Sequence, residues 1–146
     1  MSTPFFKSAL VLLTLMLCLA ATAATPEEET KFVDAVKKAF EEKKPGEVSK
    51  LTCWDGISEQ AKKKDEEVYK LLMEEKDVTF GFKLVEADLK ERKDHHVPPR
   101  PNLKIVKQLD LTMKDTRDHQ RILGIIGFAV GEKDGKLLLV RELPEK

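Results

Sequence analysis

A chain of 146 residues, with 26 basic and 26 acidic side chains, has the size of one domain with its own apolar core. Its charges are mixed in sign along the chain. That excludes nucleic acid as the main partner, because phosphate binding relies on a basic excess gathered on one face.

The amino-terminal stretch reads as an export signal. Met1 to Ser8 carries one basic side chain, Lys7, and Ala9 to Ala20 is an uncharged run with Thr14 as its only polar side chain. Ala21, Thr22 and Ala23 then offer the small-x-small pattern that a signal peptidase accepts. The run is too short for a spanning helix, which needs about 20 apolar residues. Leu17 before Cys18 departs from the small residue that a lipoprotein signal requires. Cleavage after Ala23 is therefore expected, leaving residues 24–146 as a single exported domain, periplasmic or extracellular, without a membrane anchor. Lys7 leaves with the leader, so acidic side chains then outnumber basic ones by one. Cys18 leaves too, and Cys53 remains alone. A lone cysteine in an oxidising compartment is either buried or open to a second chain. The apolar setting Leu51-Thr52-Cys53-Trp54 favours burial.

Residues up to 77 have helical periodicity. Thr25 with Glu28 forms a capping-box pattern, and Pro26 falls at the first helical position. Phe32, Val33, Val36, Ala39 and Phe40 make one apolar stripe, and Lys43 to Gly46 end the helix. A second, short helix is expected to carry Val48, Leu51 and Trp54 on one face and to stop at Asp55-Gly56. Ser58 caps a third, with Ala61, Val68, Leu72 and Ile57 on its apolar side and Lys62 to Glu67 as the wet one.

After Asp77 the period becomes two. Val78, Phe80, Phe82 and Leu84 share one face of a first strand. Lys90 to Asn102, with His95, His96 and three prolines, reads as a loop. Leu103, Ile105, Leu109, Leu111 and Met113 then alternate with polar residues, and Lys107 interrupts their dry side. Lys114 to His119 is a turn. Ile122 to Val130 is apolar on both faces, the pattern of a central strand. Lys133-Asp134-Gly135-Lys136 is a hairpin turn, and Leu137 to Leu143 the last strand. The expected fold is α+β, with N-terminal helices packed on a curved four-stranded antiparallel sheet, roll-like in layout.

This order, with one long early helix, Trp54-Asp55-Gly56 and the closing hairpin Gly131 to Val140, resembles the cystatin-like and nuclear-transport-factor-two-like α+β roll superfamily. Through Cys53-Trp54-Asp55-Gly56 and Arg100-Pro101-Asn102-Leu103 the chain is also similar to small uncharacterised secreted bacterial proteins. The resemblance implies a curved sheet enclosing a cone-shaped pocket. Enzymes of the superfamily place carboxylates, tyrosines or histidines inside that cone, and no such set matches here residue by residue.

Candidate site residues are few. His95 and His96 with Asp94, and His119 with Asp118, are the metal-ligand candidates, but they meet no known ligand spacing and lie in polar loops, so neither a metal nor a cofactor is expected. Trp54 is either a core anchor or the mouth of a pocket, with Asp55 beside it as an acid, base or ligand contact. Lys107 on a dry face needs a carboxylate or an anionic ligand, or else reaches out at a sheet edge. Arg121 and the one tyrosine of the mature chain, Tyr69, are the other polar candidates. No nucleophile elbow, phosphate loop, cofactor motif or zinc-protease motif occurs. The leading expectation is an exported, non-catalytic binding module for a small apolar molecule or a protein. A roll-fold isomerase or dehydratase is the first alternative. The second is an interaction subunit, a homodimer included, that pairs through a sheet edge or through Cys53.

Overall fold

The computed structural model describes residues 23–87, 100–118 and 120–144. Residues 1–22, which include most of the expected leader, residues 88–99 with His95 and His96 in the expected loop, His119, and residues 145–146 lie outside the described residues. Three helices precede four strands: α1 (Pro26–Glu41), α2 (Pro45–Lys50), α3 (Glu59–Glu74), β1 (Val78–Glu86), β2 (Ile105–Asp115), β3 (Ile122–Lys133) and β4 (Lys136–Leu139). The strands form one antiparallel meander in the order β1-β2-β3-β4. This sheet curves into a half-barrel around the helices, as the alternating patterns led us to expect.

Helix α1 starts as its capping residues dictate. The Glu28 N–H donates to Thr25 Oγ1 at 3.3 Å, and Pro26 occupies the first turn. Its buried stripe, Phe32, Val36, Ala39 and Phe40, reaches both β1 and β4 across the hollow of the sheet. The Phe40 ring stands edge-on to Phe80 and Phe82, with both centroids at 5.2 Å. Leu109 and Leu111 of β2, Val130 of β3, and Leu137 and Leu139 of β4 complete the core. Helix α1 ends where Lys43 takes a positive φ of 53°.

Helix α2 is shorter than its apolar spacing suggested and does not include Trp54. Pro45 opens it, and it stops at Lys50 because the chain is captured by β4: Leu139 N–H donates to Leu51 O and Cys53 N–H to Leu139 O. Helix α3 is capped by Ser58 as expected, with its hydroxyl accepting from Ala61 N–H at 3.2 Å. Leu72 packs on the core as expected, but the buried residues of the helix are Tyr69 and Met73, while Ala61 and Val68 are exposed. The larger side chains, with Asp65 held inward by an ion pair, outweigh the smaller stripe.

Lys107 shares the face of Leu109 and Leu111 by alternation, and the register shift just before it, between Ile105 and Lys107, lets Val106 instead of Ile105 pack on the core. The β3–β4 hairpin turns through Asp134 and Gly135, at φ 54° and 74°, a pair of positive values that favours this Asp-Gly sequence. Strand β4 ends at Leu139 instead of running to Leu143. Beyond it, Pro101 and Glu142 pair as an isolated bridge. The short β4 leaves β3 unevenly covered. Pairing with β4 spans only Val130 to Lys133, extended by Val140 N–H to Ala129 O. Among the described residues no strand pairs with Ile122 to Phe128 on the side away from β2.

Candidate functional site

The hollow that a roll offers to a ligand is occupied here by the protein's own side chains. Phe32, Val36, Phe40, Leu109, Leu111 and Val130 fill it, none more than 5% exposed. Two open grooves lie on the outside of α1. One, of about 330 Å³, runs between α1, α2 and β4 past Lys31, Lys50, Leu51 and Lys136. The other, of about 350 Å³, borders Glu29, Val33 and Leu84.

Polar candidates fall into three separate places. In the first, Trp54 is half-buried and its indole N–H donates to Ser49 O at 2.8 Å, while the Lys62 ammonium sits 5.8 Å above the ring. Asp55 is exposed and ion-paired with Lys133, whose ammonium holds its carboxyl below the ordinary range. Asn102 joins this turn to the C-terminal segment. Its amide donates to Cys53 O at 2.8 Å and Asp55 O at 3.2 Å, and its carbonyl accepts from Arg141 N–H at 2.9 Å. Arg100 donates to Leu143 O, and Leu143 N–H to Arg100 O. Gly56, at φ 75°, lies so close to Leu143 that a Cβ would stand 2.6 Å from its Cδ2. The motifs around Trp54 and Asn102 thus meet, and together they clamp the end of the chain.

Tyr69 occupies the second place. It is 3% exposed, its ring lies against Phe128, and Thr52, Asp65 and Arg141 surround it. Asp65 Oδ1 accepts from Arg141 at 2.7 Å, its Oδ2 is buried without a partner, and burial outweighs Arg141 to raise its pKa. Ser49 Oγ is likewise buried and unpartnered. Burial pushes the Tyr69 phenol up to about 12 from 10. A folded pKa raised above the unfolded one means that this contribution is complete below pH 10 and lost as pH rises through 12. Lys31, Lys44, Lys107 and Lys133 are raised as well and their contributions are lost in the same range, so Tyr69→Phe should reduce the alkaline loss between pH 9 and 12 by about 2 kcal/mol without removing it. An identical alkaline limb in the variant would exclude Tyr69 as one of its sources.

Lys107 makes the third. It lies on the dry face at the rim, 23% exposed at its side chain, opposite Glu86 of β1 and 3.3 Å from Glu29 of α1. The Glu86 hydrogen bond raises its pKa foremost, with Glu29 adding to it. Two carboxylates supply what a cation at that position requires. Asp55, Tyr69 and Lys107 therefore have separate partners and share none. Arg121 is exposed in the β2–β3 turn.

Cys53 is 3% exposed, so its thiol cannot reach a second chain without local opening. Among the described residues, no three histidine, cysteine or carboxylate side chains gather closely enough to hold a metal. Among them too, no helix is long and apolar enough to cross a membrane.

The surface feature that sequence reasoning overlooked is the open half of β3. Ile122, Leu123 and Ile125 are 54%, 47% and 61% exposed, and Val68 and Leu71 of α3 are 47% and 65%. Ile125 lies on the face of β3 opposite Phe128, whose ring meets Tyr69 of α3 on the inner side. From Ile122 to Val130 the strand has no charge and no proline, the devices that ordinarily protect a sheet edge. The signal was present in the sequence: Ile122 to Val130 is apolar on both faces, yet Ile126 and Phe128 are covered by the core while Leu123 and Ile125 are exposed.

No protein-family model, curated protein or solved structure matched the chain in comparisons.

Proposed function

We propose that the protein is an exported, non-catalytic interaction module that works by adding a strand to the open edge of β3, and that the added strand is β3 of a second copy. The observation that carries this reading is the uncharged stretch from Ile122 to Phe128, exposed at Ile122, Leu123 and Ile125 and left unpaired by a β4 of only four residues. Export rests on the leader pattern of Met1 to Ala23, and the roll-superfamily resemblance fits a scaffold that serves many functions. The filled interior and the separate partners of Asp55, Tyr69 and Lys107 weigh against an enzyme reading.

A second copy suits the edge because the segment is self-complementary. Antiparallel pairing about Ile125 sets Leu123 opposite Gly127, Ile126 opposite Gly124 and Ile122 opposite Phe128. Each glycine meets a large aliphatic side chain, and no like charges face each other. Two half-barrels then share one continuous sheet, and the exposed aliphatics at the edge gain cover.

Sedimentation equilibrium of residues 24–146 tests it. The wild-type chain should be dimeric, and Ile125→Lys, which sets two ammonium groups opposite each other at the symmetry axis, should weaken association at least about a hundredfold. Since Ile125 is 61% exposed, the variant's own fold should change by no more than about 0.5 kcal/mol. A monomeric wild-type chain, or a dimer indifferent to Ile125→Lys, would refute pairing at this edge.

A further inference from the structure

Among the described residues, Ala24 is the first to pack on the core, and its backbone nitrogen lies against a carboxylate. Ala24 N–H donates to Glu132 Oε2 at 2.9 Å, across 108 positions of sequence. Ala24 is half-buried and packs on the core cluster, whereas Ala23 is exposed and outside any helix or strand. Thr25 and Pro26 then fix the start of α1, so the nitrogen of Ala24 has little freedom to leave Glu132. Glu132 stands on β3, directly paired with Leu137 of β4.

In the unprocessed chain that nitrogen is an amide, and its contact with Glu132 is a neutral donor on a charged acceptor. Hydrolysis of the Ala23–Ala24 bond changes its chemistry. Water supplies the hydroxyl to the Ala23 carbonyl carbon, the C–N bond breaks, and the nitrogen takes up protons to become an α-ammonium. We infer that leader removal after Ala23 turns the Ala24–Glu132 hydrogen bond into a half-buried ion pair that ties the new amino terminus to the β3–β4 hairpin. The inference rests on the export reading and specifies what processing does to the fold. The bond to be cut begins on the exposed residue and ends on the docked one. The peptidase would therefore act before Ala24 packs, and docking would then withdraw the new terminus from exopeptidases.

Charged groups near this terminus are Glu132 itself, Lys133 next to it on β3 with Lys136 as its partner on β4, and Glu27, Glu28 and Glu29 in the first turn of α1. Lys133 is engaged by Asp55, which leaves Glu132 to the terminus. An opposite charge at this distance favours the protonated amine. A raised folded pKa gives a contribution that is complete below the ordinary range of about 7.7–8.0 and lost as pH rises through the folded value.

All described helices and strands lie within residues 26–139, so the 24–146 chain holds the whole core. Its α-amine can be followed by acylation rate against pH, read by mass spectrometry of the N-terminal peptide, alongside Glu132→Gln and a chain that begins at Ala23. The 24–146 chain should be acylated at pH 7 about tenfold more slowly than its Glu132→Gln form, the change that one pKa unit gives. The chain beginning at Ala23, whose amine is displaced by one residue, should not respond to Glu132→Gln. Equal rates for the 24–146 chain and its Glu132→Gln form would overturn the ion pair. N-terminal sequencing of the protein from its exported fraction separates the premise from the inference. A start at Ala24 supports cleavage there, another start overturns the proposed terminus, and an intact leader overturns the export reading itself.

Discussion

Phe40→Ala is expected to cost about 3–5 kcal/mol in urea unfolding, enough to threaten a domain of this size. The ring is 5% exposed and is held edge-on by two rings, Phe80 and Phe82, that occupy alternate positions on the inner face of β1. Removing it leaves a void between the last turn of α1 and β1. The void cannot close easily. Helix α1 is anchored at its start by the Thr25 cap, and it also packs on β4 at the far side of the half-barrel. Phe40→Leu, which keeps most of the volume, should cost markedly less. A penalty for Phe40→Ala below about 1 kcal/mol would place the ring outside the core.

Asn102→Asp should destabilise by about 3 kcal/mol at neutral pH although it changes one atom. The acceptor for Arg141 N–H survives. The donor to Cys53 O and Asp55 O becomes an anionic oxygen pointed at two carbonyls, and their acceptor demand is left unmet. Because protonation restores a donor, the penalty should shrink as pH falls through the range of the introduced carboxyl. Stability measured at several pH values checks both statements. A pH-independent cost near zero would mean that the turn from Cys53 to Gly56 does not depend on Asn102.

These two sites differ in how far the sequence disclosed them. The stripe of α1 and the alternation of β1 are local patterns, and Phe40, Phe80 and Phe82 fall where helical and strand periods put them. The caps Thr25 and Ser58 and the Asp134-Gly135 turn were equally legible, each being decided within four residues. The extent of α2 was not, since the backbone groups that end it belong to Leu139, far along the chain. The inward face of α3 was legible at Leu72 but not at Tyr69 and Met73, for a similar reason. Asp65 reads as part of a wet charge run, but Arg141 provides the partner that lets it turn inward.

Among the candidate site residues, Lys107 shows most clearly where local reading stops. Its anomaly was visible as a cation on an apolar face, with a carboxylate or a ligand as the possible answers. Only the fold brings Glu29 and Glu86 to it from two other elements. Trp54 and Asn102 stood out as short motifs of unassigned purpose, and their juxtaposition makes them a clamp on the chain end. In the case of β3 the sequence pattern and the fold disagree. A strand written for the centre of a sheet has an open side, and such local inconsistencies concentrate at functional sites.

The most direct measurement of the central claim is amide hydrogen exchange across Leu123 to Phe128 at increasing protein concentration. Pairing of β3 with a second copy predicts that protection in this segment rises with concentration, and that Ile125→Lys removes the rise while Leu109 and Leu111 stay protected throughout. Fast exchange in the segment at every concentration, or protection unchanged by dilution and by Ile125→Lys, would contradict it.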